Sequence, residues 1–490
     1  MIDRASRSTV ASLVASRARV VPTRLAIVDG DRRLTYGALD TRARRLASVL
    51  AARGVGAGDR IALLAENRAE ILELFLAAAR LGAIVACQNV RLAKPELAHC
   101  VRLVAPRLSV ASPRFADGHD LVFGDAYEAA LAAAPLDADR DVDPEAPLLI
   151  LYTSGTTGLP KGAVISQRAQ IVRNLVTRAE FAIAPDDTFV AWSPLYHMGA
   201  VDNSLGTLMS GGTVIVVDGF DAPRLAEIVA TEPLGWLLLM PGMVGRFADE
   251  LARRAVAPRG VKVCGVMADL VSPADIARIT TLLAAPYANT FGATETGCPP
   301  CSSNLIPIGV APTRLAKRQS PFCEVRLVDP QDRDVPDGAP GELAMRGPTL
   351  FSGYWDNAAT NAHDFRGGWF HMGDVFVRNP DGSLDFVDRV KYLIKSGGES
   401  IYPAEIERVL RMDPRVTEAA VVRMRDDRWG EVPIAFIATS ATVAAADLAA
   451  LCRQELAGFK QPKQIRFLGH DEFPRSASGK VQRHELEARL

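Results

Sequence analysis

The chain has 490 residues, 48% of them hydrophobic and 23% charged, enough for two to four structural units with sizeable cores and too rich in apolar residues for a disordered, collagen-like or disulfide-scaffold protein. Lys+Arg of 56 against Asp+Glu of 57 leaves a net charge of -1, so no global field draws the chain to nucleic acid or an anionic membrane, and any anionic ligand must be gripped locally. Seven cysteines, an odd number in a chain with no secretory signal, read as reduced thiols in a cytoplasm.

Arg4, Arg7, Arg17 and Arg19, scattered among serines, read as the polar face of an amphipathic first helix rather than as a transit peptide. Helices are expected at 41–52 and 69–81, and the Ala-rich stretch 129–134 reads as helix interior. An apolar strand over 147–151 leads into Tyr152-Thr-Ser-Gly-Thr-Thr-Gly-Leu-Pro-Lys-Gly162, with a helical stretch expected after it. From 189 to 291, short apolar runs (189–192, 214–217, 236–240, 261–266, 287–291) alternate with helical periods, the βαβ rhythm of a parallel sheet covered by helices. The longest uncharged stretch, 296–313, contains Pro299, Pro300, Pro307 and Pro312, which excludes a membrane span. Within it Cys298 and Cys301 form a lone CxxC, and with neither a second pair nor a His cluster no metal site is expected there. After 323 come short strands (324–328, 342–346, 384–387) separated by Gly and Pro, and beyond 389 a compact pattern of helix 403–411, strands 416–423 and 434–438, and helix 444–455. The expected fold class is α/β: a large N-terminal domain of parallel sheets covered by helices plus a β-rich subdomain, then a small α+β C-terminal domain.

In the run 152–162, four Ser/Thr hydroxyls and three glycines surround Lys161. Glycines let backbone N–H groups approach a ligand, hydroxyls donate to phosphate oxygens, and an ammonium neutralises them, so the run reads as a polyphosphate loop. It does not meet the P-loop pattern, because Lys161 lies between Pro160 and Gly162. The run resembles the signature of the adenylate-forming superfamily, which includes acyl-CoA synthetases, luciferases and adenylation domains. Further segments match in that family's order over nearly the whole chain: Phe291-Gly-Ala-Thr-Glu295, Trp369-Phe-His-Met-Gly-Asp374, Asp388-Arg-Val-Lys391, Ser396-Gly-Gly-Glu-Ser-Ile-Tyr-Pro-Ala-Glu405 and Pro474-Arg-Ser-Ala-Ser-Gly-Lys480.

The resemblance implies a role for each segment. Thr153, Ser154, Gly155, Thr156, Thr157, Gly158 and Lys161 would cradle the phosphates of ATP. Glu295 would hold Mg²⁺ bridging them, a hard carboxylate suiting that ion, while Gly265, Val266, Phe291, Gly292, Ala293 and Thr294 would surround the nucleotide. Phe291 is open between stacking on adenine and plain core packing. Asp374 would accept from the ribose hydroxyls, and Arg389 would contact ribose and phosphate. Lys480 would swing in to the carboxylate and α-phosphate, making Lys480, Glu295, Thr156 and Lys161 the catalytic set. The implied domains are an adenylation domain over 1–388, with its β-rich subdomain at about 323–388, a hinge at 389–391 pivoting at Lys391, and a mobile lid over 392–490. Gly397 and Gly398 would leave a passage for the pantetheine arm of CoA, and Lys460 or Lys463 would meet its phosphates.

Composition adds an argument about lysine. Only nine of the 56 basic residues are lysine, so a lysine that persists is one whose compact, mobile ammonium is needed. Lys161, Lys391, Lys463 and Lys480 all stand at motif positions. The reaction implied has two halves: a carboxylate attacks the α-phosphorus of MgATP and pyrophosphate leaves; after rotation of the lid a thiol attacks the acyl-adenylate. His197, Met198, Met243, Thr290, Gly297 and Cys298 match positions bordering the acyl pocket and offer no cation for a second carboxylate, so an apolar acid is expected, aromatic, alicyclic or of medium chain length. The segment 264–269, Cys-Gly-Val-Met-Ala-Asp, departs from the family's usual pattern toward a version associated with cyclic acids, and 302–321 departs as well. Partners are therefore the acid, ATP and CoA, with no nucleic acid and no membrane span; a homodimer is compatible with this reading. The alternative is a stand-alone adenylating enzyme that loads a carrier-protein thiol. A non-catalytic nucleotide-binding module would lack Lys480 or Glu295, and both are present.

Overall fold

The computed structural model describes residues 7–137, 140–153, 159–396, 399–475 and 481–490. The helix Val10–Val20 turns Val10, Ala11, Val14, Ala15 and Ala18 inward and is started by Thr9, whose hydroxyl accepts from Ser12 N at 3.1 Å. The helix expected at 41–52 begins earlier, at Tyr36, because Thr35 caps Ala38 N. Ala69–Leu81 is helical as expected, buried on every side, and stopped by Gly82 in the left-handed conformation (φ 69°). The Ala-rich stretch lies in the helix Asp125–Ala133.

The chain divides into two compact units, residues 1–324 with 346–363, and residues 325–345 with 364–490. The first unit contains a six-stranded sheet in the order Leu121–Val122, Leu108–Ala111, Arg60–Leu64, Ile84–Cys87, Pro147–Thr153, Lys161–Ser166, parallel except for the last strand. A four-stranded sheet (Arg32–Thr35, Leu25–Asp29, Val214–Val216, Phe189–Ala191) and another (Leu234–Leu237, Val261–Cys264, Tyr287–Ala288, Leu305–Ile306) are each parallel but for one edge strand. Helices cover them, and a continuous apolar core runs from Val190 through Phe247 to Tyr287. Among the described residues no helix is long and apolar enough to cross a membrane.

Two expectations need correction. The residues after the phosphate-type loop form no helix: Lys161–Ser166 is a strand antiparallel to Pro147–Thr153, with Thr153 opposite Lys161, and the helix starts only at Gln167. The β-branched pair Val164 and Ile165 is buried between neighbours, and a Cβ at Gly162 would stand 2.8 Å from Ile150 Cγ2, so the strand lies flush against its partner. The apolar run 287–291 is not one strand. Tyr287–Ala288 ends in its sheet, and Phe291–Ala293 starts a separate hairpin with Gly297–Cys301.

The second unit holds a four-stranded sheet (Glu324–Val328, Pro340–Arg346, Phe370–Arg378, Leu384–Arg389) and a five-stranded one built on the long hairpin Val416–Asp426/Gly430–Thr439, to which Gln464–Phe467 pairs in parallel. Arg389 ends the last strand of the first of these sheets, and residues 390–391 lead in the chain toward the second. One face of the five-stranded sheet packs Ile406, Val421, Ile437 and Leu448, the other Val422, Phe436, Phe473 and Leu486.

Candidate active site

In the first unit the strand Pro147–Thr153 ends at Thr153, whose buried Oγ1 has no hydrogen-bond partner among the described residues. An orphaned buried hydroxyl at the mouth of a Gly/Thr loop suits a phosphate oxygen. Ser154, Gly155, Thr156, Thr157 and Gly158 lie outside the described residues. Lys161, directly across the ladder from Thr153, holds its ammonium 3.8 Å from the centre of the Tyr354 ring.

The hairpin 291–301 presents Thr294 and Glu295 at its turn. The turn is set by Thr296, whose Oγ1 accepts from Ala293 N at 2.9 Å, and by Gly292, where any Cβ would strike Gly297 O. Glu295 Oε1 accepts from the Tyr354 hydroxyl at 2.8 Å, and its carbonyl accepts from Phe351 N at 2.8 Å. Beneath the turn lies Arg173, 2% exposed, which donates to Thr294 O at 3.0 Å and Thr349 O at 2.9 Å and pairs with the buried Asp202 at 3.3 Å. Burial raises the Asp202 carboxyl above its ordinary pKa, the guanidinium opposing that shift. Among the described residues no three His, Cys, Asp or Glu side chains gather as a metal cage. A lone, oriented carboxylate fits Mg²⁺, which prefers one or two carboxylates plus substrate phosphates.

Of the candidate nucleotide and acyl residues, Thr290, Phe291, Gly297 and Cys298 stand beside this turn in the sequence. Gly265 has φ 73°, and a Cβ there would fall 2.1 Å from the Tyr287 ring, so only glycine fits. Tyr287 Oη donates to Val266 O at 2.9 Å and Trp236 Nε1 to Gly265 O at 3.0 Å, which fixes the segment. Phe291 is half-buried, Thr290 6% exposed, and Met243 packs against the main core. His197 N-caps the helix that Met198 opens, its ring edge-on to Tyr196 at 4.7 Å. Gly297 (φ 76°) lies against the Arg173 side chain, and burial pushes the neighbouring Cys298 thiol up to about 12, so it is not a nucleophile near neutrality.

In the second unit the structure joins two residues that sequence reasoning had assigned separately. Asp374 and Arg389 are cross-strand partners, and the guanidinium grips the 2% exposed carboxylate at 2.7 and 3.1 Å. Asp388 is also buried; its oxygens accept from Arg389 N and from Ala404 N, each at 2.7 Å. Lys391 is exposed beside the Tyr392 ring. The Lys460 ammonium is held by Glu405 at 2.8 and 2.9 Å, whereas Lys463 is exposed. Gly397, Gly398 and Lys480 lie outside the described residues.

Sequence reasoning missed Tyr354, Arg173, Asp202 and the fully buried Lys317. Lys317 Nζ meets Asp269 Oδ2 and Asn289 Oδ1, each at 2.5 Å. Arg173 lies behind Gly297 and Lys317 beside Asn289. Each is matched by its own carboxylate, so neither adds net charge to the wall. Lysine scarcity, applied to all nine positions, is the signal that would have flagged Lys317.

The AMP-binding enzyme profile matches residues 14–355, and the profile of the AMP-binding enzyme C-terminal domain matches 405–480. The chain is 35% identical to an indoleacetate–CoA ligase of Aromatoleum aromaticum, with 95% of each chain covered, and 34% identical to a feruloyl-CoA synthase of an Amycolatopsis species, with 97% of each covered. The o-succinylbenzoate CoA synthetase of Bacillus subtilis, solved with its acyl-adenylate intermediate, superposes with a TM-score of 0.84 at 25% identity over 97% of both chains. The chain belongs to the AMP-binding enzyme family and is an acid–thiol ligase of the AMP-forming acyl-CoA synthetase type.

Proposed function

We propose that this ligase activates an aromatic monocarboxylic acid with MgATP and passes the acyl group to CoA. The observation that carries the reading is the meeting of a cation and a carboxylate, Lys161 and Glu295, on one tyrosine beside the open hydroxyl of Thr153. Attack of one anion on another needs their repulsion offset, and bound Mg²⁺ would supply a Lewis acid on the phosphate oxygens. Lys161 and Thr153 would hold those oxygens by charge and hydrogen bonding, and Glu295 would hold the metal. In the second unit Arg389 fixes Asp374 for the ribose hydroxyls. Lys480 would neutralise the attacking carboxylate, and after a rotation at Lys391, which divides 1–388 from 392–490, Gly397 and Gly398 would admit the pantetheine arm with Lys463 at the CoA phosphates. The aromatic class is supported by what the two relatives are named for, and by the apolar or charge-matched wall at His197, Met243, Thr290 and Cys298. All seven cysteines are free thiols, which suits the cytoplasm.

The test is pyrophosphate release with MgATP over indoleacetate, cinnamates, benzoates, alicyclic acids and medium-chain fatty acids, with and without CoA, with products identified by mass spectrometry. Turnover that requires CoA and is fastest with an aromatic acid is expected. Stoichiometric acyl-AMP with no turnover on CoA would move the acceptor to a carrier-protein thiol, and preference for a straight-chain acid would overturn the aromatic assignment.

A further inference from the structure

We infer that Tyr354 is the positioning residue for both the metal carboxylate and the phosphate-binding lysine, each held by a different part of the same side chain. The inference rests on the metal and phosphate roles proposed above for Glu295 and Lys161. The hydroxyl donates to Glu295 Oε1 at 2.8 Å, and the ring face holds Lys161 Nζ 3.8 Å from its centre. A carboxylate on a hairpin turn can rotate about its side-chain bonds; a hydrogen bond to one oxygen removes that freedom and turns the other oxygen to a fixed direction. An ammonium on four methylenes has still more freedom, and the ring restricts it without neutralising it, because a cation–π contact leaves the charge able to meet phosphate.

Tyr354 is itself over-determined. Its backbone N–H donates to Asn361 Oδ1 at 2.7 Å, and Asn361 Nδ2 returns a bond to Tyr354 O at 2.9 Å. Val164 N donates to Gly353 O at 3.0 Å and Trp355 N to Gly162 O at 2.8 Å, so the tyrosine is laced to the strand that carries Lys161. Phe351 N donates to Glu295 O, which laces the same segment to the metal turn, and the Phe351 and Tyr354 rings pack edge to face at 4.9 Å. The side chain is 6% exposed. Segment 351–355 thus acts as a jig that sets two groups from distant parts of the chain before nucleotide arrives.

The two halves separate experimentally. With the full-length enzyme, the dissociation constant of a non-hydrolysable ATP analogue is measured by calorimetry with and without Mg²⁺; the ratio of the constants reports the metal's contribution and does not depend on turnover. Tyr354→Phe keeps the ring and loses the hydroxyl: the metal-free constant should be unchanged and the gain from Mg²⁺ should fall about tenfold, the scale of one hydrogen bond to a charged group. Tyr354→Leu loses the ring too, and should in addition weaken metal-free binding about threefold. Glu295→Gln should abolish most of the Mg²⁺ gain. If Glu295→Gln does so while Tyr354→Phe matches the wild type, the inference fails and the metal role of Glu295 stands. If Glu295→Gln leaves the gain intact, the underlying metal reading fails. Equal metal-free constants for the Leu and Phe variants would overturn the Lys161 half.

Discussion

An ammonium taken out of water is stable only where oxygens replace its hydration. Lys317, 0% exposed, finds them in Asp269 and Asn289 at 2.5 Å. Asn289 Nδ2 in turn donates to Leu315 O and Ala316 O, and Asn304 Nδ2 to Ala316 O, so the charge is the knot of a wider tie. The segments 264–269 and 302–321 are thus joined by the ion pair of Lys317 with Asp269. Lys317→Met should destabilise the protein by about 2 kcal/mol, less than the 3–5 typical of a severed buried pair, because Asp269 is a third exposed and can rehydrate. The double variant Lys317→Met/Asp269→Leu should recover part of that loss. Thermal unfolding of wild type and both variants checks this; a single variant as stable as the wild type would show that the pair holds nothing. Sequence alone could raise suspicion of Lys317 through its rarity, but not name a partner from another element.

Elements were legible where local physics dominates. Ala69–Leu81 is mostly apolar, with Glu70, Glu73 and Arg80 buried in ion pairs, and ends at a glycine that accepts the left-handed turn, so both its type and its end are written locally. Lys161–Ser166 was not legible, because six residues after a loop become a strand only through the partner Pro147–Thr153. Tyr354 was hidden for the same reason, since its meaning depends on where Glu295 and Lys161 arrive. A further local feature is the start of the helix Pro403–Leu410, where the cap is not the preceding residue but Asp388, whose Oδ2 accepts from Ala404 N. Burial raises the Asp388 carboxyl above its ordinary pKa and Glu407 adds to the rise, while Arg483 and the two backbone donors oppose it. A raised carboxyl means that the folded state binds the proton more tightly than the unfolded chain. Stability contributed by this group is therefore greatest at low pH and declines as pH climbs from about 4 through the folded-state value. Asp388→Asn keeps an acceptor for Ala404 N without the buried charge and should lie within about 0.5 kcal/mol of the wild type at pH 7, whereas Asp388→Ala should cost about 1–2 kcal/mol through the lost cap. Thermal unfolding at pH 5 and pH 8 checks the sign: the wild type should gain on Asp388→Asn at the lower pH. An Asn variant as damaged as Ala at neutrality would mean that the charge itself is needed.

At the scale of the molecule, the proposed reaction runs through two halves, adenylation and then thioester formation. A reaction with two chemically different halves and one set of nucleotide ligands needs a way to exchange the groups around the acyl carbon. The proposed pivot, Lys391, sits in the middle of the short 3-10 turn Val390–Tyr392, between the strand that carries Arg389 and the strand Ile394–Ser396. A rotation there is taken up by φ and ψ of very few residues. Proline at 391 fixes φ near −65° and removes the N–H, a conformation compatible with one state of a turn and not with a large excursion from it. Lys391→Pro should therefore retain acid-dependent ATP–pyrophosphate exchange within about threefold of the wild type while thioester formation falls by about 100-fold or more. Lys391→Ala removes the ammonium and keeps the backbone freedom, so it should lose little of the second half-reaction. Isotope exchange for the first half and single-turnover transfer of a preformed acyl-adenylate to CoA for the second measure the two steps apart. Equal losses in both steps for the proline variant would mark 389–391 as a structural turn and remove it as the pivot.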